Sequence, residues 1–135
     1  MKKNALLAFI VLLLSACTVN KNESSETAVG VKSLDPQEFK TTLAATTDAV
    51  LVDVRTPAEF NEGKLAGAIN VDYKDQEFTK NIGTLERDKP YFVYCLSGKR
   101  SNDAAQQMKA LGFTTVYVLE DGLQDAKGVL EVEQR

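Results

Sequence analysis

One junction limits what this chain can fold into more than any other stretch: a cysteine between an apolar run and a helix-forming run. Tyr91-Phe92-Val93-Tyr94 is short, aromatic and β-branched, the composition of a buried strand. From about Ser101 to Leu111 the chain reads as a helix. Ser101, Asn102 and Asp103 are candidate caps, and Gly112 is a stop. Between them lies Cys95-Leu96-Ser97-Gly98-Lys99-Arg100. A thiol is thereby expected at the carboxyl end of a strand, where a tight loop turns into a helix N-terminus. Open α/β sheets hold their ligands at that edge.

A free thiol has a pKa of about 8.5 and is mostly protonated at neutral pH. Three features of this loop favour the thiolate. The helix N-terminus offers partial positive charge and unpaired N–H groups. Lys99 and Arg100 add full charges. Successive loop amides can form a nest around the sulfur, with Gly98 giving backbone freedom. The chain has no histidine, so neither a Cys–His pair nor a Ser–His–Asp triad is available. Activation of Cys95 falls to the loop. The plain alternative is a core cysteine that only ends a strand, but a Gly-Lys-Arg turn is a poor neighbour for inert core.

The amino-terminal end reads as a targeting segment. Lys2 and Lys3 precede an apolar run from Ala5 to Leu14, too short to span a bilayer as a helix. Leu14-Ser15-Ala16-Cys17 resembles the bacterial lipobox, which implies cleavage after residue 16 and lipid on Cys17. More than one acyl chain gives stable anchoring. Thr18 stands where an Asp would hold a lipoprotein at the inner membrane. The expected location is therefore the cell envelope, on an outer membrane and facing the periplasm. Residues 17–30 carry that cysteine and a polar, aperiodic stretch, a flexible tether with a span of roughly 20 Å. Residues 31–135 form the folded domain.

Loss of residues 1–16 would remove Lys2 and Lys3 from sixteen basic residues and none of the nineteen acidic ones. The net charge would move from −3 to −5. That balance excludes general nucleic-acid binding. With Cys17 lipidated, Cys95 is the remaining thiol, a liability outside the cytoplasm unless it has chemistry to do. Two cysteines and no histidine argue against a transition-metal site.

The domain alternates strands and helices, which predicts an open, mainly parallel α/β sheet with helices on both faces. Val31-Lys32 is a short first strand. Asp35 and Pro36 open a helix to about Ala45. Ala49 to Val54 is a central parallel strand, with Asp53 and Arg55 at its end. Thr56 and Glu59 make a capping box. Gly63 to Gly67 reads as a turn, Ala68 to Val71 as a strand and Asp75 to Ile82 as a weak amphipathic helix. Thr114 to Leu119 is another strand, and Asp121-Gly122 turns into a short last helix.

Cys95-x-x-Gly98-x-Arg100, between strand and helix, resembles the active-site loop of rhodanese-like sulfurtransferases. Asp53-Val54-Arg55 and Gly63-Lys64-Leu65-Ala66-Gly67-Ala68 resemble two further segments of that family, in the right order. The resemblance covers about residues 31–126. It implies sulfur transfer in two halves. Cys95 takes the outer sulfur of a small anionic donor such as thiosulfate as a persulfide, then yields it to cyanide or another thiol. Leu96, Ser97, Gly98 and Ser101 would act mainly through backbone N–H groups, and Lys99 and Arg100 by attracting the donor. Arg100 has an alternative, pairing with an acidic neighbour. Asp53 and Arg55 are expected to hold the loop shape more than to touch substrate. No metal or organic cofactor is implied, and no protein partner is specified. The chain departs from the family pattern at Lys64, Ala66, Asp121 and Ala126, where His, Pro, Gly and Trp are usual. Looser packing is expected at the carboxyl-terminal end. Two other classes compete. Related phosphatases and arsenate reductases use a Cys-x5-Arg loop, one residue longer than the spacing here, and turnover of p-nitrophenyl phosphate would identify one. A tethered binding or redox-sensing module would need no turnover.

Overall fold

The computed structural model describes residues 30–134. The expected signal segment, the lipid site at Cys17 and nearly all of the tether lie outside the described residues.

Five parallel strands form the central sheet. They are β1 (Gly30–Leu34), β2 (Val50–Asp53), β4 (Ile69–Asn70), β5 (Pro90–Tyr94) and β6 (Thr115–Leu119), in the order β1-β6-β5-β2-β4. The predicted parallel α/β sheet is the observed one. β5 lies at its centre, with Tyr94 in register with Asp53 of β2.

Alternation along β5 feeds two cores. Tyr91, Val93 and Cys95 point to one face. There they meet Phe78 and Ile82 of α3 (Phe78–Gly83), and Ala104, Ala105 and Met108 of α4 (Lys99–Ala110). Phe92 and Tyr94 point to the other face. There they meet Phe39 of α1 (Pro36–Ala45) and Leu123 of α5 (Gly122–Asp125). Phe39 and Phe92 pack edge to face at 5.3 Å between centroids. Such a contact adds about 0.5–1.5 kcal/mol to the apolar burial.

The caps of α1 and α2 (Pro57–Glu62) form as expected. Asp35 accepts from the Glu38 N–H, and Thr56 and Glu59 close their capping box. Four elements differ from expectation. Gly63–Leu65 is a strand, β3, and not the first part of a turn. It pairs antiparallel with β7 (Val132–Gln134), a strand the sequence did not announce. α3 begins at Phe78 because Asp72 and Asp75 spend their carboxylates on local turns, accepting from the N–H groups of Lys74 and Glu77. α4 begins at Lys99, two residues earlier than expected. Among the described residues no helix is long and apolar enough to cross a membrane.

Candidate active site

The reason for the early start of α4 is also the reason the sulfur is held. Gly98 adopts φ 83°, a left-handed conformation that a glycine enters without penalty. The chain doubles back there, and the Gly98 N–H donates to Cys95 Sγ at 3.1 Å. The helix then starts without a side-chain cap. Ser101, read as a cap, sits fully buried in the first turn. Its Oγ lies 3.4 Å from Sγ and donates to the Gly98 carbonyl at 2.9 Å. That corrects the expectation that Ser101 acts mainly through its backbone.

The same carbonyl also accepts from the Asn102 N–H at 3.0 Å and from Asn102 Nδ2 at 2.9 Å. A hydroxyl carries one proton. While Ser101 donates to Gly98, its contact with sulfur is that of an acceptor for a thiol S–H. Turning the hydroxyl toward a thiolate leaves the Gly98 carbonyl still doubly satisfied by Asn102. Proton position on sulfur and hydroxyl orientation are thus coupled.

The outer side of the loop is fixed by the turn into α5. Leu123 N–H donates to the Cys95 carbonyl and Gln124 N–H to that of Leu96, both at 3.0 Å. A side chain on Gly122 would stand 2.4 Å from the Leu96 oxygen. With these carbonyls held by α5, the Gly98 N–H is the loop amide that meets the sulfur. Asp121, in place of the family's glycine, takes φ 55°, a region that Asp tolerates better than most residues. Cys95 is completely buried, whereas Leu96 and Ser97 are exposed above it.

Asp53 and Arg55 form a buried ion pair at 2.6 Å, and Arg55 also donates to the Gly63 carbonyl at 2.6 Å. Burial alone pushes the guanidinium's pKa down, but hydrogen bonding and charge from Asp53 outweigh it and the net shift is up. Asn70 Nδ2 donates to the carbonyls of Asp53 and Arg55, tying the β2 end to β4. Tyr94, one residue before the cysteine, accepts the Leu65 N–H at 3.0 Å. Burial pushes its phenol well above the ordinary range.

Lys99 and Arg100 do not behave alike. Lys99 is 84 % exposed, with Asp103 at 4.0 Å. Arg100 makes a two-pronged pair with Glu59, each guanidinium nitrogen 2.8 Å from a carboxylate oxygen. Glu59 is held far below the usual carboxylate range, first by Arg100 and then by Thr56, against an opposing effect of burial. Arg100 is raised, first by Glu59. The sequence showed Glu59 only as a capping residue. Its partner lies 41 positions away, and no local pattern reports that pairing.

An open cleft of about 500 Å³ begins beside Leu96. Leu123, Ala126, Leu130 and Val132 line it, with Arg55 and Glu59 at its polar side. It opens beside the small Ala126, where the family usually has Trp.

A rhodanese-like domain model matches residues 35–128. A Bacillus subtilis protein, YqhL, is 34% identical over 104 residues, covering 77% of this chain and 79% of its own. A protein of Allochromatium vinosum named sulfurtransferase is 30% identical over 93 residues, covering 69% of this chain and 85% of its own. The crystal structure of a rhodanese-related protein from Thermoplasma volcanium superposes with a TM-score of 0.65 at 30% identity, covering 77% of this chain and 99% of that one. With its parallel sheet, its Cys95 loop and these likenesses together, the chain belongs to the rhodanese-like family.

Proposed function

We propose that this protein is a sulfurtransferase that carries sulfane sulfur on Cys95. The observation that carries the reading is the Gly98 N–H on Sγ at 3.1 Å, at the carboxyl edge of the central strand. In the first half-reaction the Cys95 thiolate attacks the outer sulfur of a donor, thiosulfate being the simplest. The donor's S–S bond breaks, sulfite leaves with the electron pair, and Cys95 holds a persulfide. In the second, a thiolate or cyanide attacks the terminal sulfur, and the Cys95 thiolate leaves. Gly98 N–H and the turned Ser101 hydroxyl stabilise charge on sulfur in both halves. Cys95 is fully buried, so the reaction requires an opening of its surroundings that admits the donor.

Mass spectrometry of the purified full-length chain after thiosulfate treatment is expected to show one added sulfur on Cys95 and none in Cys95→Ala. Absence of an adduct with every sulfane donor tried would refute the reading. Of the second reading, a binding or redox-sensing module without turnover, complete burial of Cys95 favours the binding form. Partner binding that survives Cys95→Ala, with no steady-state transfer by the wild type, would select it.

We further propose that lipid on Cys17 tethers the domain to the bacterial cell envelope, at the outer membrane and facing the periplasm. The support is the Lys2-Lys3 region, the apolar run and Leu14-Ser15-Ala16-Cys17. Cys17→Ala is expected to move the protein from the membrane to the soluble fraction. Unchanged membrane partition would refute the anchor.

A further inference from the structure

The guanidinium of Arg55 has donors to spare. An arginine side chain carries five N–H donors. The Nε–H meets both Asp53 oxygens at 3.0 Å, and Nη2 donates to Asp53 and to the Gly63 carbonyl, each at 2.6 Å. Nη1, with two N–H groups, takes no partner among the described residues. Yet among those residues no fully buried side-chain nitrogen or oxygen lacks a partner. Nη1 is therefore the accessible edge of a side chain only 8 % exposed, and the cleft of about 500 Å³ is the space that Arg55 lines. Asn70 holds the Arg55 carbonyl while Asp53 and Gly63 fix the guanidinium. The two free donors are set in place before any ligand arrives, which lowers the cost of binding. Neither Cys95 nor Arg100 lines this cleft.

The rest of the wall is mostly apolar, with Leu123, Ala126, Leu130 and Val132 as its floor. Small-molecule sites have this size and this make-up, an apolar body with a few fixed polar groups. We propose that the cleft is a binding site, separate from the Cys95 loop, for an organic monocarboxylate with an apolar body. The carboxylate accepts from Arg55 Nη1, and the body lies on Leu123, Ala126 and Leu130. The room comes from Ala126, whose methyl group stands where an indole would fill the space. The other charges favour one negative charge over two. Glu59 is engaged by Arg100 and Thr56, and Glu62 and Lys127 add one charge of each sign. A dianion would set its second charge beside two carboxylates. Binding here is non-covalent and independent of the sulfur chemistry.

The probe is 3-phenylpropionate, titrated into the full-length chain and followed by calorimetry and by the NMR shifts of backbone amides. Saturable binding is expected, with the largest shifts at Gly63, Leu123 and Gly128, which border the cleft. The uncharged analogue 3-phenylpropanamide keeps the body and should bind about tenfold more weakly, the scale of one hydrogen bond between charged groups. Ala126→Trp should abolish binding by filling the cleft, and Cys95→Ala should bind as the wild type does. The comparison of acid with amide uses the wild type alone, so it stands even where Ala126→Trp fails to fold. Absence of saturable binding, equal affinity for acid and amide, binding retained by folded Ala126→Trp, or binding lost in Cys95→Ala would each overturn the inference. A chain that binds the acid but takes sulfur from no donor overturns the sulfurtransferase reading and leaves this site standing.

Discussion

At the scale of single residues, Ser101 separates chemistry from packing. Its hydroxyl has two neighbours, sulfur and the Gly98 carbonyl, and each has another donor: the Gly98 N–H on sulfur, and both Asn102 nitrogens on the carbonyl. Ser101→Ala therefore orphans no buried acceptor and should leave the thermal midpoint nearly unchanged. It removes a donor for charged sulfur. The alkylation rate of Cys95 at neutral pH should fall about tenfold, the scale of one hydrogen bond to a charged group. Equal alkylation rates in variant and wild type would sink the proposed role. The placement of Cys95 between a strand end and a helix start was legible in the sequence, because an apolar run, a Gly-Lys-Arg turn and a helix-forming run follow one another there. The role of Ser101 was not. Cap rules look for an oxygen-bearing side chain at the first turn, and Ser101 meets that description while its hydroxyl faces the sulfur.

At the scale of elements, the site is a junction between the β2 end, the β5 end and the turn into α5. Among the described residues, the buried polar side chains are Asp53, Arg55 and Ser101, all at this one edge of the sheet. Burial of ionised groups is costly unless they are paired and hydrogen-bonded, and these are. The sequence made β2, β5, β6, α1 and α2 readable, since apolar runs and caps are local signals. β3 and β7 escaped because three-residue strands owe their existence to each other, across a separation that no window spans. Gly122 tests the junction. Its φ is 68°, and a methyl group there collides with the Leu96 carbonyl. Gly122→Ala should destabilise the domain by at least about 2 kcal/mol, read as a lower denaturant midpoint. A midpoint equal to wild type would mean that the α5 turn does not brace the loop.

At the scale of the whole molecule, the Glu59–Arg100 pair joins the first half of the domain to the second, and it gives stability a pH signature. Glu59 has an ordinary value of 4.5, which the unfolded chain recovers, and the folded value is far lower. A depressed carboxylate contributes its full stability above the unfolded value. That contribution is lost as pH falls through the window toward the folded value, because the unfolded chain binds the proton first. Wild type should exceed Glu59→Gln in stability by about 1–2 kcal/mol at pH 7. The gap should close progressively below about pH 4.5. Chemical denaturation at a series of pH values measures it, and a gap that stays constant to pH 3 would show that the pair is not the source. One consequence follows from the amides of Leu123 and Gln124 that clasp the cysteine from behind. A chain cut before residue 123 would lack both of the amides that hold the Cys95 and Leu96 carbonyls, however complete its central sheet.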